Sequence, residues 1–430
     1  MNFINHNYHS ISSCFRSYSA FIIILLPLFA DILTGLIDIK MGIYLPISVL
    51  VRVGIIALGL YLVFFKQYML SKLVLFIAIF YLLLCSYWFV SQREISLAIE
   101  LKTLSLLLLP FLIYLLFKHN INSEIQKEKM TLSLSLYGLV ASTSIILFYF
   151  LNIGYESYGD YAFGFKGVFI SGNDIGISIV LCSAISWYRI CRYSMPIDFL
   201  SAFISFIGLI FIASRTGIIF GTLVLLLGVI SYIFFYKSQR SSILIIKSII
   251  VMLVLFIISV IIWLSIKYSQ EIIYHSSRLL ELLDGVSPRE HLEYAAEQVY
   301  ESLTNNNILF GQGWSFYAAI GEEHYLRLTL HYHRLFEKNI EKDFHDLFGY
   351  TGIVFTLFYT SIMLFVVSNL LIKYVSKRQP ITMLSLFLFS FLMLHATFAG
   401  HIVFGSQVPI IAAAIIFLGI NFDATKKQLS

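Results

Sequence analysis

The sequence predicts an all-α, polytopic membrane protein of about twelve spanning helices, with one large loop between the ninth and the tenth. Three observations carry that prediction. Hydrophobic residues make up 59% of the 430-residue chain, charged residues only 12%, and the mean hydropathy is +0.86, a balance foreign to water-soluble domains. Apolar runs of roughly 18 to 25 residues, long enough to cross the hydrocarbon core as helices, recur twelve times along the chain. Lysine and arginine gather on one side of the topology those runs define, as the positive-inside rule requires.

In order, the runs lie near 20–37, 42–65, 73–90, 99–117, 131–152, 167–188, 197–213, 216–236, 243–266, 347–372, 381–399 and 404–421. The first follows Arg16, exceeds the length of a signal-peptide core and lacks a small-x-small cleavage site, so it reads as an uncleaved first span. Twelve spans put both termini on one side. The short loops and tails of that side carry sixteen Lys/Arg, from Arg16 and Lys66 through Arg189 and Arg192 to Lys426 and Lys427; the short loops opposite carry five, Lys40, Arg93, Lys102, Lys166 and Arg215. Both termini are therefore expected in the cytoplasm. Cys14, Cys85, Cys182 and Cys191 lie in or beside spans, so no disulfide framework is implied.

Three regions follow: spans one to nine (1–266), a large outer loop (267–344), and spans ten to twelve with a cytoplasmic tail (345–430). The loop holds seven Lys/Arg against twelve Asp/Glu and so carries −5 of a chain whose formal net charge is +5. A net acidic loop argues against a polyanion-binding face, so nucleic acid is not an expected partner. Its Tyr, Leu, Phe and His content predicts order rather than a linker. Ser287, Pro288 and Glu290 form a capping box, predicting a helix from Pro288 to about Leu303; TNNN at 304–307 should break it, and GQGW at 311–314 should turn tightly.

Several polar residues stand where lipid-embedded chain would otherwise run. Arg215, in FIASRTGIIFG, divides the seventh span from the eighth. A guanidinium at the bilayer centre costs about 2.5 to 3.5 kcal/mol even on the lenient insertion scale, so such a residue faces a cavity or a partner, or else snorkels from a short outer turn. Arg52 lies about ten residues into the second span, roughly 15 Å deep at helical rise, with the same two readings. Asn173 and Asp174, beside Gly172 and Gly176, mark either an irregular helix start lining a cavity or an ordinary N-cap.

Arg289 stands at the second position of the loop helix, where side chain and dipole both favour an anion. In IEKDFHDLFGYTG, Glu341 and His345 are four apart and share a helix face, while Asp343 and Asp346 share a neighbouring one. A carboxylate and an imidazole there could act as general base, or could simply be a solvated helix start. His395 and His401 flank the last outer turn. His324, His331 and His333, with Glu322 and Glu323, lack the spacing of known zinc sites, so no metal is expected.

Four pieces in order, FKGVFISGNDIG, ASRTGIIFG, SPREHLEYAAEQ followed by LFGQGW, and IEKDFHDLFGYTG, together resemble the bacterial O-antigen polymerase and O-antigen ligase family over residues 165–370. The resemblance implies a GT-C-like, metal- and cofactor-independent, inverting glycosyltransferase at the periplasmic face of the inner membrane. It implies an undecaprenyl-diphosphate-linked glycan as both donor and acceptor, and a chain-length regulator and a repeat-unit flippase as partners. The family's SR-[TS]-G arginine matches Arg215, and the arginine opening its loop helix matches Arg289. Counting back eleven from Gly352 lands on Glu341, where ligases carry histidine. The acidic pattern Glu341, Asp343, Asp346 is closer to the polymerase branch, which makes Glu341 the expected base with Asp343 and His345 behind it. Arg215 and Arg289 are the expected diphosphate cations, and Arg52, Asn173, Asp346 and His401 the expected substrate contacts. Ligase and lipid-linked oligosaccharide flippase are the alternatives.

Overall fold

A computed structural model describes residues 2–66, 68–91, 96–157, 164–235, 290–316, 318–320, 342–398, 400 and 402–422. The elements are α1 (Asn2–Met41), α2 (Ile47–Phe65), α3 (Met69–Val90), α4 (Leu97–Asn120), α5 (Glu124–Phe150), α6 (Gly172–Tyr193), α7 (Pro196–Ile212), α8 (Arg215–Phe235), α9 (Glu290–Glu301), α10 (Asn305–Phe310), α11 (Asp343–Lys377), α12 (Pro380–Phe398) and α13 (Val408–Asn421). Among the described residues nine helices are long and apolar enough to cross a membrane, and α7 and α13 are shorter apolar helices. The expected span at 243–266 lies outside the described residues, and so does much of the large loop.

Helix boundaries depart from the hydropathy pattern where backbone chemistry decides them. α1 runs on through Asp38 and Lys40 until Gly42, at φ 65°, stops it. α2 then waits for Pro46 to pass and begins at Ile47. Arg52 is thus the sixth residue of its helix, about 7 to 8 Å from the start at helical rise rather than 15 Å.

The chain divides into two compact units, one of residues 1–52 and 125–286, the other of 53–124 and 287–430. In the first, α6 is the central helix: 89% of its most apolar window is buried, against 22% for α8. Between lipid-facing helices water exclusion supplies no drive, so close packing of small residues must supply it. α5 and α7 run parallel in a register set by Ser201 Oγ on the Ser135 carbonyl at 2.5 Å. One turn further, a Cβ on Gly138 would lie 2.8 Å from Ser205 Oγ and 3.2 Å from Cys182 Cβ of α6; one turn beyond that, a Cβ on Gly208 would lie 2.6 Å from Ser142.

At the end of this seam Arg189 of α6 is buried and donates Nε to Asp198 of α7 at 2.7 Å, with Ser135 Oγ on the same carboxylate oxygen at 2.8 Å. Arg189 Nη1 reaches Thr131 Oγ1 at 2.8 Å. The sequence counts Arg189 with the loop cations; the structure buries it in an ion pair with the equally buried Asp198. Asp198→Ala should leave that guanidinium uncompensated and cost about 3 to 5 kcal/mol, read as a lowered unfolding midpoint in detergent, with a much smaller loss in the double variant Arg189→Met/Asp198→Leu.

In the second unit, α4, α11, α12 and α13 pack together with α3, and α9 and α10 cap one end. α9 is described over 290–301, the expected capping residues Ser287 and Pro288 lying outside the described residues, and it buries Ala295, Ala296 and Val299 against Phe316 and Ile320. TNNN breaks it as expected but also starts α10, since the Thr304 side chain accepts from Asn307 N. α11 is broken at Gly352, where φ 77° and ψ 172° free two carbonyls from the helix ladder. The GQGW turn collects them: Gln312 N donates to Gly349 O at 3.2 Å and Gly313 N to Tyr350 O at 2.9 Å. Trp88 lies against Gly313 and donates Nε1 to Phe310 O at 2.9 Å. A Cβ on Gly352 would sit 2.4 Å from Gly311 N and from Leu309 O. Gly352→Ala should therefore destabilise by roughly 1 to 3 kcal/mol or more, lowering the thermal midpoint of the purified protein well beyond a Gly54→Ala control, whose Cβ would meet nothing within 4 Å.

Candidate functional site

In the first unit two helix starts open side by side. α6 is capped by Ser171, whose side chain accepts from Asp174 N at 3.3 Å. The helix is regular from Gly172, so the GND segment is an ordinary start, and its cap is Ser171 rather than Asn173 or Asp174. α7 ends on Ala213 in the left-handed region (φ 57°), one residue intervenes, and Arg215 is the first residue of α8. Ser214 Oγ accepts from Gly217 N at 3.2 Å and so caps α8. The backbone thus places Arg215 at a helix start in a tight turn, not in mid-span. A Cβ on Gly176 would stand 3.2 Å from Ser214 Oγ, and one on Gly172 3.7 Å from the Ile212 side chain. Two helix N-termini and their positive dipole ends therefore lie together, an arrangement that favours anions.

The loop before α6 adds a cation the sequence reading had placed only as an outer-loop charge. Phe165 N donates to Phe211 O at 2.7 Å, Lys166 N donates to Tyr155 O at 3.0 Å, and Tyr155 N donates to Gly167 O at 2.7 Å. That ties the loop against α7. Lys166 lays its stem along Gly172, with Cδ 3.7 Å from where a Cβ would be, and holds its ammonium 5.8 Å over the Tyr155 ring. Tyr155 in turn donates its hydroxyl to Asp38 of α1. Burial, then Asp38, pushes the Tyr155 phenol up to about 12. Burial also lowers the Lys166 ammonium below the ordinary lysine range, and among the described residues no carboxylate forms an ion pair with it.

Deeper in the same unit Arg52 Nη2 bonds both oxygens of Asp31, at 2.7 and 2.6 Å. Asn173 is half-buried and Asp174 buried. Asp31 and Asp174 both lie within electrostatic reach of the fully buried Tyr137, whose hydroxyl bonds Ser178.

The expected acid-base segment belongs to the second unit. Asp343, at the start of α11, is buried and accepts from Ile402 N at 2.6 Å and Val403 N at 3.0 Å. His395 Nδ1 meets Gly400 O at 2.9 Å. These bonds clip the α12–α13 connection to the α11 start. Asp346 is also buried and accepts from Lys342 N at 3.1 Å, closing the first turn of its own helix. His345 is exposed, and its carbonyl accepts from the Tyr300 hydroxyl. Glu341, Arg289, His401, His324, His331 and His333 lie outside the described residues.

One further carboxylate escaped the sequence reading. Glu100 of α4 is 4% exposed and accepts from Tyr81 and Tyr350 hydroxyls and from Trp314 N. Its oxygens are occupied by donors from three separate segments, so it serves to anchor the GQGW turn. No periodic signal marks it, because a lone glutamate at a span end looks like a headgroup contact.

Comparison with family models, curated proteins and solved structures finds no match. What the described geometry can do is hold an anion at the α6 and α8 starts with Lys166 beside it. The sign of the pH effect follows from the lysine. Its charged form is disfavoured on folding, so the proton is released below the pH at which the unfolded chain releases it. Inorganic pyrophosphate binding by the purified protein should therefore weaken as pH rises through that lowered value, short of the ordinary lysine range. Lys166→Arg should flatten the dependence, because a guanidinium stays charged.

Proposed function

We propose that the protein is an O-antigen polymerase, joining oligosaccharide repeat units carried on undecaprenyl diphosphate by glycosyl transfer at the periplasmic face of the bacterial inner membrane. The observation that carries the reading is the convergence of the α6 and α8 helix starts, with Lys166 and the Arg215 position, at one end of a bundle of apolar helices. An amphiphilic diphosphate needs such a place: fixed positive charge at the boundary between headgroup and hydrocarbon. The positive-inside bias of the loops supports the periplasmic assignment for that end.

In the proposed reaction a sugar hydroxyl of one lipid-linked chain attacks the anomeric carbon of another. The new glycosidic C–O bond forms as the bond from that carbon to the diphosphate oxygen breaks, and undecaprenyl diphosphate leaves with the electron pair. Direct attack inverts the anomeric configuration. Positive groups fixed in place before reaction stabilise the charge that grows on the departing oxygen. Arg215 and Lys166 supply it here. The acceptor proton passes to a carboxylate, and Glu341 takes this role together with Arg289 as a second cation, both on the strength of the family resemblance. Asp343 and Asp346, engaged by backbone amides, hold the α11 start in shape. A chain-length regulator and a repeat-unit flippase are the proposed partners.

Glu341→Gln, or Arg215→Ala, should leave the protein in the membrane and reduce lipopolysaccharide from a ladder of long chains to single-repeat bands. Bare core instead would favour a ligase or a flippase, and a normal ladder would remove the substituted residue from the mechanism. Protein reconstituted in liposomes should lengthen lipid-linked repeats supplied from outside without moving them across.

A further inference from the structure

Asp31 and Arg52 form an ion pair among the apolar helices of the first unit, and their geometry is unusual. Arginine and carboxylate ordinarily meet fork to fork, each oxygen on a separate nitrogen. Here both Asp31 oxygens crowd onto Nη2, at 2.7 and 2.6 Å, while Nε is buried with no hydrogen-bond partner. Asp31 aims the guanidinium without saturating it. The frame around the pair is fixed: one turn along, Ser48 N of α2 donates to Thr34 Oγ1 of α1 at 3.1 Å. The two side chains are still 15% and 17% exposed, so the pair is reachable.

The face of α1 that carries Asp31 also carries the anion end. Asp31, Thr34, Gly35 and Asp38 stand at i, i+3, i+4 and i+7, one helix face. Thr34 fixes α2, a Cβ on Gly35 would strike the Val168 carbonyl, and Asp38 holds Tyr155 beneath the Lys166 ammonium. A single helix face thus sets two cations, Lys166 at the rim and Arg52 about 10 Å further along at helical rise.

We infer that Arg52, oriented by Asp31, is a ligand for the phosphoryl oxygens of a lipid-borne diphosphate, and that Asp31 is its positioning residue. The inference rests on the polymerase reading for the choice of a prenyl carrier. A guanidinium with unused donors in a low-dielectric setting is costly unless a ligand takes them up. The carboxylate partner keeps the empty site neutral, which lets the arginine remain among apolar helices between turnovers. A phosphoryl group entering beside the pair takes up the donors that Asp31 leaves unpaired, Nε among them once the guanidinium turns toward it.

The test is binding of farnesyl diphosphate to the purified full-length protein in detergent, by calorimetry, with thermal midpoints recorded alongside. Arg52→Gln should weaken binding roughly ten- to hundredfold. Asp31→Asn should weaken it less, and Asp31→Glu should restore most of it. The double variant Asp31→Asn/Arg52→Gln replaces the pair by neutral hydrogen-bonding groups, so it should keep a near wild-type midpoint and still lose binding. That outcome a merely structural pair would not give. Unchanged binding in a folded Arg52→Gln protein overturns the inference. So does equal protection of wild type and Arg52→Gln by farnesyl diphosphate, or displacement of farnesyl diphosphate by phosphatidylglycerol in nanodiscs at equal phosphate, which would make the ligand a bulk lipid headgroup. Binding that depends on Arg52 in a protein that fails to elongate lipid-linked repeats would retain this site and end the polymerase reading alone.

Discussion

In hydrocarbon no solvent stands ready to complete an unfinished hydrogen bond, so every interrupted helix and every ionised side chain must find its partner inside the protein. That constraint organises both units. Where Gly352 opens the ladder of α11, a turn of three glycine- and glutamine-bearing residues arrives to take the two carbonyls. Where α6 and α7 would leave Arg189 alone, Asp198 sits at the third position of α7, at the positive end of its dipole, and neutralises it. Asp343 does the same for two amides of the α12–α13 connection. Each device joins separate helices or a helix and a turn, and the Gly352 and Asp343 devices join segments far apart in sequence.

Much of this fold was legible from composition. Runs of apolar residues report spans directly, because length against bilayer thickness leaves few alternatives. The GQGW turn and the break at TNNN were legible too, since glycine and asparagine declare backbone conformations. Pairing was not. Arg189 reads like any basic residue near a span end until Asp198, nine positions away, is seen to face it, and Asp31 and Arg52 show no local pattern that links them. The cap of α6 was misplaced for a related reason: Ser171, Asn173 and Asp174 are all good cap residues, and only the backbone angles choose Ser171. At the candidate site, Arg215 stood out because an isolated charge between apolar runs is rare. Lys166 did not, because its significance lies in the Tyr155 ring and the α6 start that frame it.

The anion end of the first unit draws on three levels at once. Helix starts give partial positive charge at no side-chain cost, the loop before α6 delivers a half-buried ammonium, and α1 fixes both that loop and the deeper guanidinium. None of these alone would specify a ligand. In combination they suit the ligand of the proposed function, an amphiphile whose charge lies at the edge of the hydrocarbon and whose tail continues into it. That is the chemical shape of a polyprenyl diphosphate, and the polymerase reading uses it for both donor and acceptor.

The seam of serines and glycines between α5, α6 and α7 carries its own probe. Cys182 lies on it with no exposure, in no disulfide, with its Cβ facing Gly138. While those three helices stay together, an alkylating reagent has no route to that sulfur. Modification of Cys182, against the partly exposed Cys85 and Cys191, would report the parting of these three helices without any label having been introduced.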